Sequence, residues 1–153
     1  MPQARLILRD GAPADGAAVA ALFLAARRAA MPWLPALHSD AETRAWIDHV
    51  VLAKLRVRIA ETDGEIAGFL ARDGGHVDHL YVAPDRQRSG IGSALLAEAQ
   101  AEGIPLTLHV FARNEAARRF YRGHRFVEGP VGNGTDNEER LPDLVMTWTP
   151  ARP

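Results

Sequence analysis

Hydrophobic positions change their spacing several times along the chain, and each change predicts an element of secondary structure. Three consecutive apolar residues at 6–8 predict an opening strand. Apolar residues then recur at helical spacing, which predicts a helix over 16–30 with Asp15 as its cap. A proline-containing break follows, and a second helix is predicted over 41–52 with Asp40 as its cap.

The middle of the chain has strand periodicity, and two strand–helix repeats follow it. Val57 and Ile59 alternate with arginines, and Asp63-Gly64 is a hairpin signal that predicts a returning strand over 66–71. The remaining predicted elements are a strand over 77–82, a helix over 90–102, a strand over 106–110, a helix over 114–122, and closing strands over 126–127 and 144–148. An antiparallel meander followed by β-α-β-α order predicts an α/β sheet with helices on both faces.

Composition narrows the class of protein. The chain has 153 residues, of which 47% are hydrophobic, so we expect one domain over 1–153 with a sizeable core. A formal net charge of −1 argues against nucleic acid as a partner, because phosphate binding needs an excess of lysine and arginine. Cysteine is absent, which excludes disulfides, thiolate nucleophiles and cysteine zinc sites. The first residues lack a signal-peptide pattern and the apolar runs are too short to span a bilayer, so we expect a cytoplasmic protein with no membrane partner.

The strand, turn and helix over 79–96 carry the strongest chemical signal. The turn reads Gln87-Arg88-Ser89-Gly90-Ile91-Gly92, and its two glycines allow backbone N–H groups at a helix N-terminus to approach phosphate oxygens. Arg86 and Arg88 can add charge-assisted hydrogen bonds. The spacing differs from a P-loop, which ends in Gly-Lys-Ser/Thr, and from a dinucleotide fingerprint, which needs glycine or alanine where Leu95 stands. We predict a pyrophosphate-bearing cofactor here; the alternative is an ordinary strand–helix connection whose glycines serve only the turn.

This turn resembles the acetyl-CoA motif of the GNAT superfamily of N-acetyltransferases. A second segment, 108–121, resembles that superfamily's later strand and helix, with Asn114 before the helix and Phe120-Tyr121 at its end. The order of elements over 5–149 also resembles the GNAT fold. One departure is Arg125-Phe126, where the family usually has Gly-Phe. The resemblance implies a mixed, mostly antiparallel sheet of six to seven strands with helices on both faces.

The resemblance implies an acetyl-CoA-dependent N-acetyltransferase, with no metal, that transfers an acetyl group directly to a primary amine of a small molecule or peptide. A non-catalytic acyl-CoA-binding sensor of the same fold is the alternative, since it would need the Gly90 turn but no catalytic tyrosine or base. Acetylation of charged tRNA is disfavoured by the near-neutral charge. Many members of the superfamily pair through sheet edges or C-terminal strands, so the resemblance also suggests a homodimer.

The resemblance also assigns cofactor-binding residues. It places the pantetheine arm on the strand backbone at Leu80, Tyr81 and Val82, where one N–H would polarise the thioester carbonyl. It places the pyrophosphate on the turn, at the residues Gln87, Arg88, Ser89, Gly90, Ile91, Gly92 and Ser93. Asn114 would contact the cofactor arm, although asparagine at this place also fits a helix N-cap.

Candidate acid and base residues follow from the same resemblance. A tyrosine at position 121 is implied to contact the cofactor and to protonate the departing CoA thiolate, which a neutral phenol can do. If Phe120 fills the core, Tyr121 is freer to face the cofactor; the alternative is a core aromatic residue. The candidate bases are Asp78, acting through water, and His79, whose ordinary pKa suits the task. Strand alternation puts His76 and Asp78 on one face and His79 on the other, unless a bulge intervenes. The alternative for each of the three is a polar side chain at a sheet edge that only contacts solvent. Strand geometry separates the three side chains, so we predict no metal site there.

Two segments are candidates for the acceptor pocket. The loop 31–38 contains Trp33 and His38 and is stiffened by prolines, which suggests an apolar recognition wall, unless Trp33 fills the core beneath the loop. The acidic segment 132–143 contains Glu138-Glu139 and would favour a cationic amine, unless it is only a solvated loop.

Overall fold

Seven strands form one mixed sheet in the computed structural model, which describes residues 5–151. The strands are β1 (Leu6–Asp10), β2 (Arg56–Thr62), β3 (Glu65–Asp73), β4 (His76–Val82), β5 (Leu106–Phe111), β6 (Val127–Glu128) and β7 (Asp143–Trp148). The helices are α1 (Gly16–Ala30), α2 (Asp40–Trp46), α3 (Leu52–Lys54), α4 (Ile91–Gln100) and α5 (Glu115–Gly123). The strand order is β1-β2-β3-β4-β5-β7-β6, and β4–β5 is the one parallel pair among these strands. The prediction of a mixed, mostly antiparallel sheet with helices on both faces is confirmed.

The helices begin close to their predicted positions, but two predicted caps are wrong. Asp15 makes no cap hydrogen bond to α1, because its carboxylate accepts from the Arg9 guanidinium at 2.8 and 2.9 Å and from a backbone N–H at 2.7 Å. Ser39, rather than Asp40, caps α2. Its hydroxyl accepts from the Glu42 N–H, and the Glu42 carboxylate accepts from the Ser39 N–H. This reciprocal pair is the capping box that the Ser-x-x-Glu spacing allows.

The second predicted helix is interrupted by a wider turn. α2 continues through one π-helical turn, Ile47–Val51, before α3. The residues at the two ends of this turn, Ile47 and Val51, are both fully buried in the core against α1. None of the helices within residues 5–151 is long and apolar enough to cross a membrane.

Each face of the sheet has its own core. On one face α1 and α2 cover the sheet, and Val19 and Phe69 are fully buried there. On the other face α4 and α5 cover the sheet, and Leu96 and Met146 are fully buried. Gly68 of β3 permits the close approach of α4, because a Cβ there would lie 2.9 Å from the Cγ2 atom of the first α4 residue. The N-terminus of α4 therefore lies directly against the sheet.

Within residues 5–151, β4 and β5 pair only near their N-terminal ends. His76 is opposite Thr107, and the Thr107 N–H donates to the Gly75 carbonyl at 2.8 Å. No further pair joins these two strands within the described residues, although β4 continues to Val82 and β5 to Phe111. The strands therefore diverge, and an opening lined by backbone groups without a strand partner lies in the middle of the sheet.

A β-bulge interrupts β4 at Asp78. The register with β3 passes from Val77 opposite Arg72 to His79 opposite Ala71, so Asp78 is left without a partner. Val77 and the β4 residue three positions later both pack in the core under α4, although regular alternation would put them on opposite faces. The alternation expected from the sequence therefore fails at this point.

The bulge brings the two β4 histidines to the same face of the sheet. His76 Nδ1 lies 3.0 Å from the Thr107 hydroxyl oxygen, and its ring lies 5.3 Å from the ring of His109. These two β5 side chains alternate with core residues of the α4 face, so they belong to the face that carries α1. His79 packs against Phe23 of α1. Regular alternation would have put His76 and His79 on opposite faces, and the bulge named as the alternative puts them on the same face.

Candidate active site

The N-terminus of α4 presents four backbone N–H groups without an acceptor. The N–H groups of residues 90–93 donate to no group in the described part of the chain, and no side chain caps the helix. Gly90, the residue before the helix, has a left-handed φ of +83°, a conformation that glycine adopts without strain. A Cβ at Gly92 would meet Phe120 only at an ordinary contact distance of 3.4 Å, so packing inside the protein does not require glycine there. The free donors and both glycines fit an anionic group that approaches the helix N-terminus from outside.

Side chains of the turn hold its shape and leave its backbone open. The Gln87 amide donates to the last carbonyl of β4 at 3.1 Å, and the Ser89 hydroxyl donates to the Arg86 carbonyl. The Arg86 guanidinium is bound to Thr62 of the β2–β3 hairpin. Arg88 is exposed and forms no ion pair within residues 5–151. Of the two arginines expected at the phosphate, Arg88 is therefore the one available.

Asn114 is the N-cap of α5. Its side-chain oxygen accepts from the Ala117 N–H at 3.2 Å. The amide nitrogen of Asn114 has no partner within the described residues. The cap is therefore present, and the contact with a cofactor arm stays a prediction.

Tyr121 is buried in the core beneath α4. It is 9% exposed, and its ring packs edge-on against Phe126 at 5.5 Å. Phe120, expected in the core, is instead half-buried beside Gly92, so the expected arrangement of these two aromatic residues is reversed. Burial, and secondarily the neighbouring Tyr81 phenol, raise the pKa of Tyr121. The Tyr121 hydroxyl therefore stays protonated and can serve as a proton donor.

The two tyrosines lie on opposite faces of the sheet. Tyr81 packs with Phe23 at 5.1 Å on the α1 face, whereas Tyr121 belongs to the α4 core. The role of Tyr121 as the acid therefore stays a prediction.

His79 lies in an aromatic cluster just after the bulge. Its ring packs edge-on against Trp46 at 5.0 Å and against Phe23 at 5.9 Å. Burial, and then the positive charge of Arg27, lower the pKa of His79 to about 4. The imidazole is therefore neutral at physiological pH and can accept a hydrogen bond from an amine, although it does not retain a proton there.

Asp78, the other candidate base, faces a different neighbour. One of its carboxylate oxygens lies 4.0 Å from His76 Nε2, and burial raises its pKa. The two candidate bases, Asp78 and His79, therefore do not share one pocket.

A cavity of about 760 Å³ opens beside His79, on the face of the sheet that carries α1. It lies between α1, α2, the loop 31–38 and the segment 132–143. Its apolar lining consists of Phe23, Leu24, Met31, Pro32, Leu34, Pro35, Ala36, Leu37 and Trp46. Its polar lining consists of Arg27, Arg28, His38, Glu42, Thr43, His79, Glu138 and Glu139.

Two side-chain pairs join opposite walls of this cavity. Arg27 Nη2 lies 2.9 Å from Glu139 Oε1, and His38 Nε2 lies 2.5 Å from Glu138 Oε1. The structure thus brings together three of the four residues considered for the acceptor. Trp33, the fourth, is not part of the cavity lining.

Trp33 packs against β5 instead. Its ring lies edge-on to Phe111 at 5.8 Å, and the Arg113 guanidinium carbon lies 5.0 Å from the ring centroid. Sequence reasoning missed Phe23 and Trp46, which form the wall where Trp33 was expected. Phe23 could have been found from its position one helical turn before Arg27, whose guanidinium carbon lies 5.4 Å from the centroid of the Phe23 ring. Nothing in the sequence alone shows that this face of α1 meets the opening in the sheet.

Comparison with known proteins agrees with this geometry. Residues 53–128 match the family model described as the acetyltransferase (GNAT) domain. The peptidyl-lysine N-acetyltransferase YiaC of Escherichia coli K12 is 33% identical over 98 residues, which are 63% of this chain and 66% of that protein. The peptidyl-lysine N-acetyltransferase YjaB of the same strain is 36% identical over 70 residues, 46% of this chain and 47% of that protein. The matched regions thus span about two thirds of one relative and about half of the other.

Solved structures of the same fold cover nearly the whole chain. A GCN5-related N-acetyltransferase from Rhodopseudomonas palustris superposes with a TM-score of 0.77 at 25% identity, covering 97% of this chain and 98% of that one. The solution structure of apo YjaB from Escherichia coli superposes with a TM-score of 0.76 at 24% identity, covering 96% of this chain and 99% of that one. The protein therefore belongs to the GNAT superfamily of N-acetyltransferases, and the resemblance drawn from the two motifs is confirmed.

Proposed function

We propose that this protein is an acetyl-CoA-dependent N-acetyltransferase whose acceptor is a primary amine, on a small molecule or on a peptidyl lysine. The observation that carries the proposal is the diverging pair β4–β5, flanked by the uncapped N-terminus of α4 and by the cavity beside His79. The names of YiaC and YjaB as peptidyl-lysine N-acetyltransferases support an amine acceptor.

The residues present fit acetyl-CoA. The free N–H groups of residues 90–93 and the exposed Arg88 are suited to the pyrophosphate. The backbone of Leu80–Val82 has no strand partner on the β5 side and is suited to the amide groups of the pantetheine arm. The free amide nitrogen of Asn114 can donate to the same arm. When bound, acetyl-CoA supplies a thioester carbonyl that an uncharged amine can attack.

The residues around the opening have separate roles in this proposal. Holding the amine beside the thioester supplies much of the rate, because a bimolecular encounter becomes a step within one complex. A backbone N–H at Leu80 or Tyr81 polarises the carbonyl. Tyr121, whose hydroxyl stays protonated, gives its proton to the leaving thiolate and then recovers a proton from solvent, so that the proton released by the amine balances the one consumed by the thiolate.

His79 is the proposed acceptor of the hydrogen bond from the attacking amine. Of the two candidate bases it is the one that lines the cavity, whereas Asp78 faces His76. Because the pKa of His79 is about 4, the neutral imidazole orients an uncharged amine by accepting its hydrogen bond. The proton that the amine loses on attack then passes through the imidazole to solvent in the cavity.

Release of free CoA thiol tests the proposal directly, and the absence of cysteine from the chain gives the assay a clean background. We expect thiol release from acetyl-CoA that depends on an added primary amine. Tight binding of acetyl-CoA without release for any amine or lysine peptide would contradict the catalytic assignment and favour the non-catalytic sensor.

A matched pair of glycine variants tests the cofactor turn. Gly90→Glu places a negative charge at the free N–H groups and should abolish acetyl-CoA binding in calorimetry. Gly103→Glu is the control, because Gly103 lies beyond the other end of α4 with φ +74° and an equally open Cβ position. Equal loss of binding in both variants would show that backbone strain, rather than the charge at the turn, is responsible.

A further inference from the structure

We propose that the acceptor is a small primary amine carried on an apolar body, which enters whole into the cavity beside His79. This inference rests on the proposed acetyltransferase function and specifies its acceptor. Four properties of the cavity carry it: its volume, its apolar walls, its aromatic floor and the side-chain pairs that cross it.

The volume and walls fit an apolar small molecule. About 760 Å³ lies within the range of cavities that enclose whole small ligands. α1, α2 and the loop 31–38 all contribute apolar side chains to its lining, among them Leu24, Met31, Leu34 and Leu37. The four-carbon arm of a lysine would leave most of this space unfilled, and a polyamine would place charges against apolar walls at a desolvation cost.

The floor of the cavity is aromatic, and the charge nearest to it is the Arg27 guanidinium over the Phe23 ring, which is paired with Glu139. Phe23 lies edge-on to Trp46 at 5.4 Å, and both lie edge-on to His79. The imidazole of His79 is neutral because burial lowers its pKa. Such a floor favours the uncharged form of an amine, which is the form that attacks a thioester, and it accepts an apolar group next to that amine.

The charges that line the cavity do not repel an incoming cation. The Arg27 guanidinium is paired with Glu139, and the Arg28 guanidinium is paired with Asp40 at 2.6 Å. Glu138 is exposed, and its carboxylate lies 2.5 Å from His38 Nε2. Two arginines and three glutamates line the cavity, so these side chains carry a formal charge of −1, which favours a singly charged amine, and the apolar walls accept its apolar body.

Two side-chain pairs cross the cavity from one wall to the other. The Arg27–Glu139 and His38–Glu138 pairs span from α1 and the loop 31–38 to the segment 132–143. A small molecule can be taken up whole behind these bridges. A lysine on a folded protein would have to insert between them, which makes a peptide acceptor the competing outcome of the test.

Thiol release with matched amines tests the proposal. 2-Phenylethylamine and hexylamine are compared with spermidine and with an N-terminally blocked peptide that contains one internal lysine. We expect kcat/KM to be at least about tenfold higher for the two apolar amines, since each methylene group in an apolar pocket contributes about that factor.

Polar substitutions in the wall locate the effect in this cavity. Leu24→Asn should lower kcat/KM for hexylamine about tenfold and leave the KM for acetyl-CoA unchanged. Leu34→Asn, in the loop, is a second variant in case the helix variant does not fold. Leu6→Asn is the control, because Leu6 is exposed on the edge strand β1 and should leave all constants unchanged.

The outcomes separate this proposal from the one on which it rests. Rapid acetylation of the lysine peptide or spermidine, with slow reaction of both apolar amines, would overturn the apolar acceptor and leave the acetyltransferase assignment standing. Equal effects of Leu24→Asn and Leu6→Asn would also overturn it, because the cavity wall would then not matter. Absence of thiol release with every amine would overturn both.

Discussion

Replacing His79 should remove part of the pH dependence of stability. His79 packs among aromatic residues, and burial holds its pKa at about 4, against 6.5 for an exposed histidine. The unfolded chain therefore binds a proton near pH 6.5 that the folded protein does not bind until about pH 4. The free energy of unfolding therefore has its full value above pH 6.5 and decreases progressively as the pH falls from 6.5 to 4.

The size of this loss follows from the two pKa values. Each pH unit between them corresponds to about 1.4 kcal/mol, so full protonation lowers the free energy of unfolding by about 3 kcal/mol. At about pH 5, where the folded protein is still largely unprotonated at His79, the loss is about 2 kcal/mol. That is a large share of the stability of a typical domain.

Urea unfolding at about pH 7.5 and about pH 5 measures the effect. In His79→Phe the aromatic packing is retained and the titrating group is gone. The difference in unfolding free energy between the two pH values should therefore shrink by about 2 kcal/mol relative to the parent protein. His49→Gln, which removes an exposed histidine, is the control and should keep the parent's pH dependence.

An unchanged pH dependence in His79→Phe would refute the reasoning. It would mean that water reaches the imidazole in the folded protein and that the imidazole at the cavity floor is not held neutral in the way proposed. A loss of the same size in His49→Gln would show that the effect is not specific to the buried ring.

Three further changes test other parts of the structure. Tyr121→Phe should lower kcat about 100-fold or more while the affinity for acetyl-CoA stays nearly constant, because it removes one proton donor; unchanged kcat in thiol release would eliminate Tyr121 as the acid. Gly134→Ala should raise the KM for the amine and leave the KM for acetyl-CoA unchanged. The new Cβ would lie 2.5 Å from the Leu141 backbone and would displace the segment that carries Glu138 and Glu139. An unchanged KM for the amine would argue against a contribution of this segment to the cavity wall. Leu96→Ala should lower the free energy of unfolding by about 3 kcal/mol, because Leu96 is fully buried. Ile7→Ala, on the exposed edge strand, should lower it by less than about 1 kcal/mol. Similar losses for the two variants in chemical denaturation would contradict the assigned core.

Local signals account for what could be predicted from the sequence. The order of elements follows from hydrophobic period and turn residues, both of which depend on neighbouring positions in the chain. The turn at Gly90 was recognisable because its chemistry lies in consecutive residues. The same holds for Asn114 and the Phe120-Tyr121 pair, whose spacing within one helix is fixed by helix geometry.

Competing local partners explain the two wrong caps. Asp15 stands where a cap is expected, but Arg9 from β1 binds its carboxylate, and strand positions are not visible from the helix sequence. Ser39 and Glu42 carried a recognisable capping box that outweighs the neighbouring Asp40.

The bulge at Asp78 and the burial of Tyr121 depend on contacts distant in sequence. The register of β4 is set by its pairing with β3, so one unpaired residue moves His79 onto the face of His76. Tyr121, rather than Phe120, is buried because the fold of residues 124–126 brings Phe126 against it. Neither arrangement follows from the spacing of apolar residues within a single element.

The sequence by itself determined the family, the order of elements and the glycine turn before α4, because each is encoded in short runs of residues. The tertiary structure alone decided which side chains share the cavity beside His79, because α1, α2 and the segment 132–143 meet there from distant parts of the chain. It also set the low pKa of His79 and the raised pKa of Tyr121, since burial and neighbouring charges, rather than residue identity, control protonation.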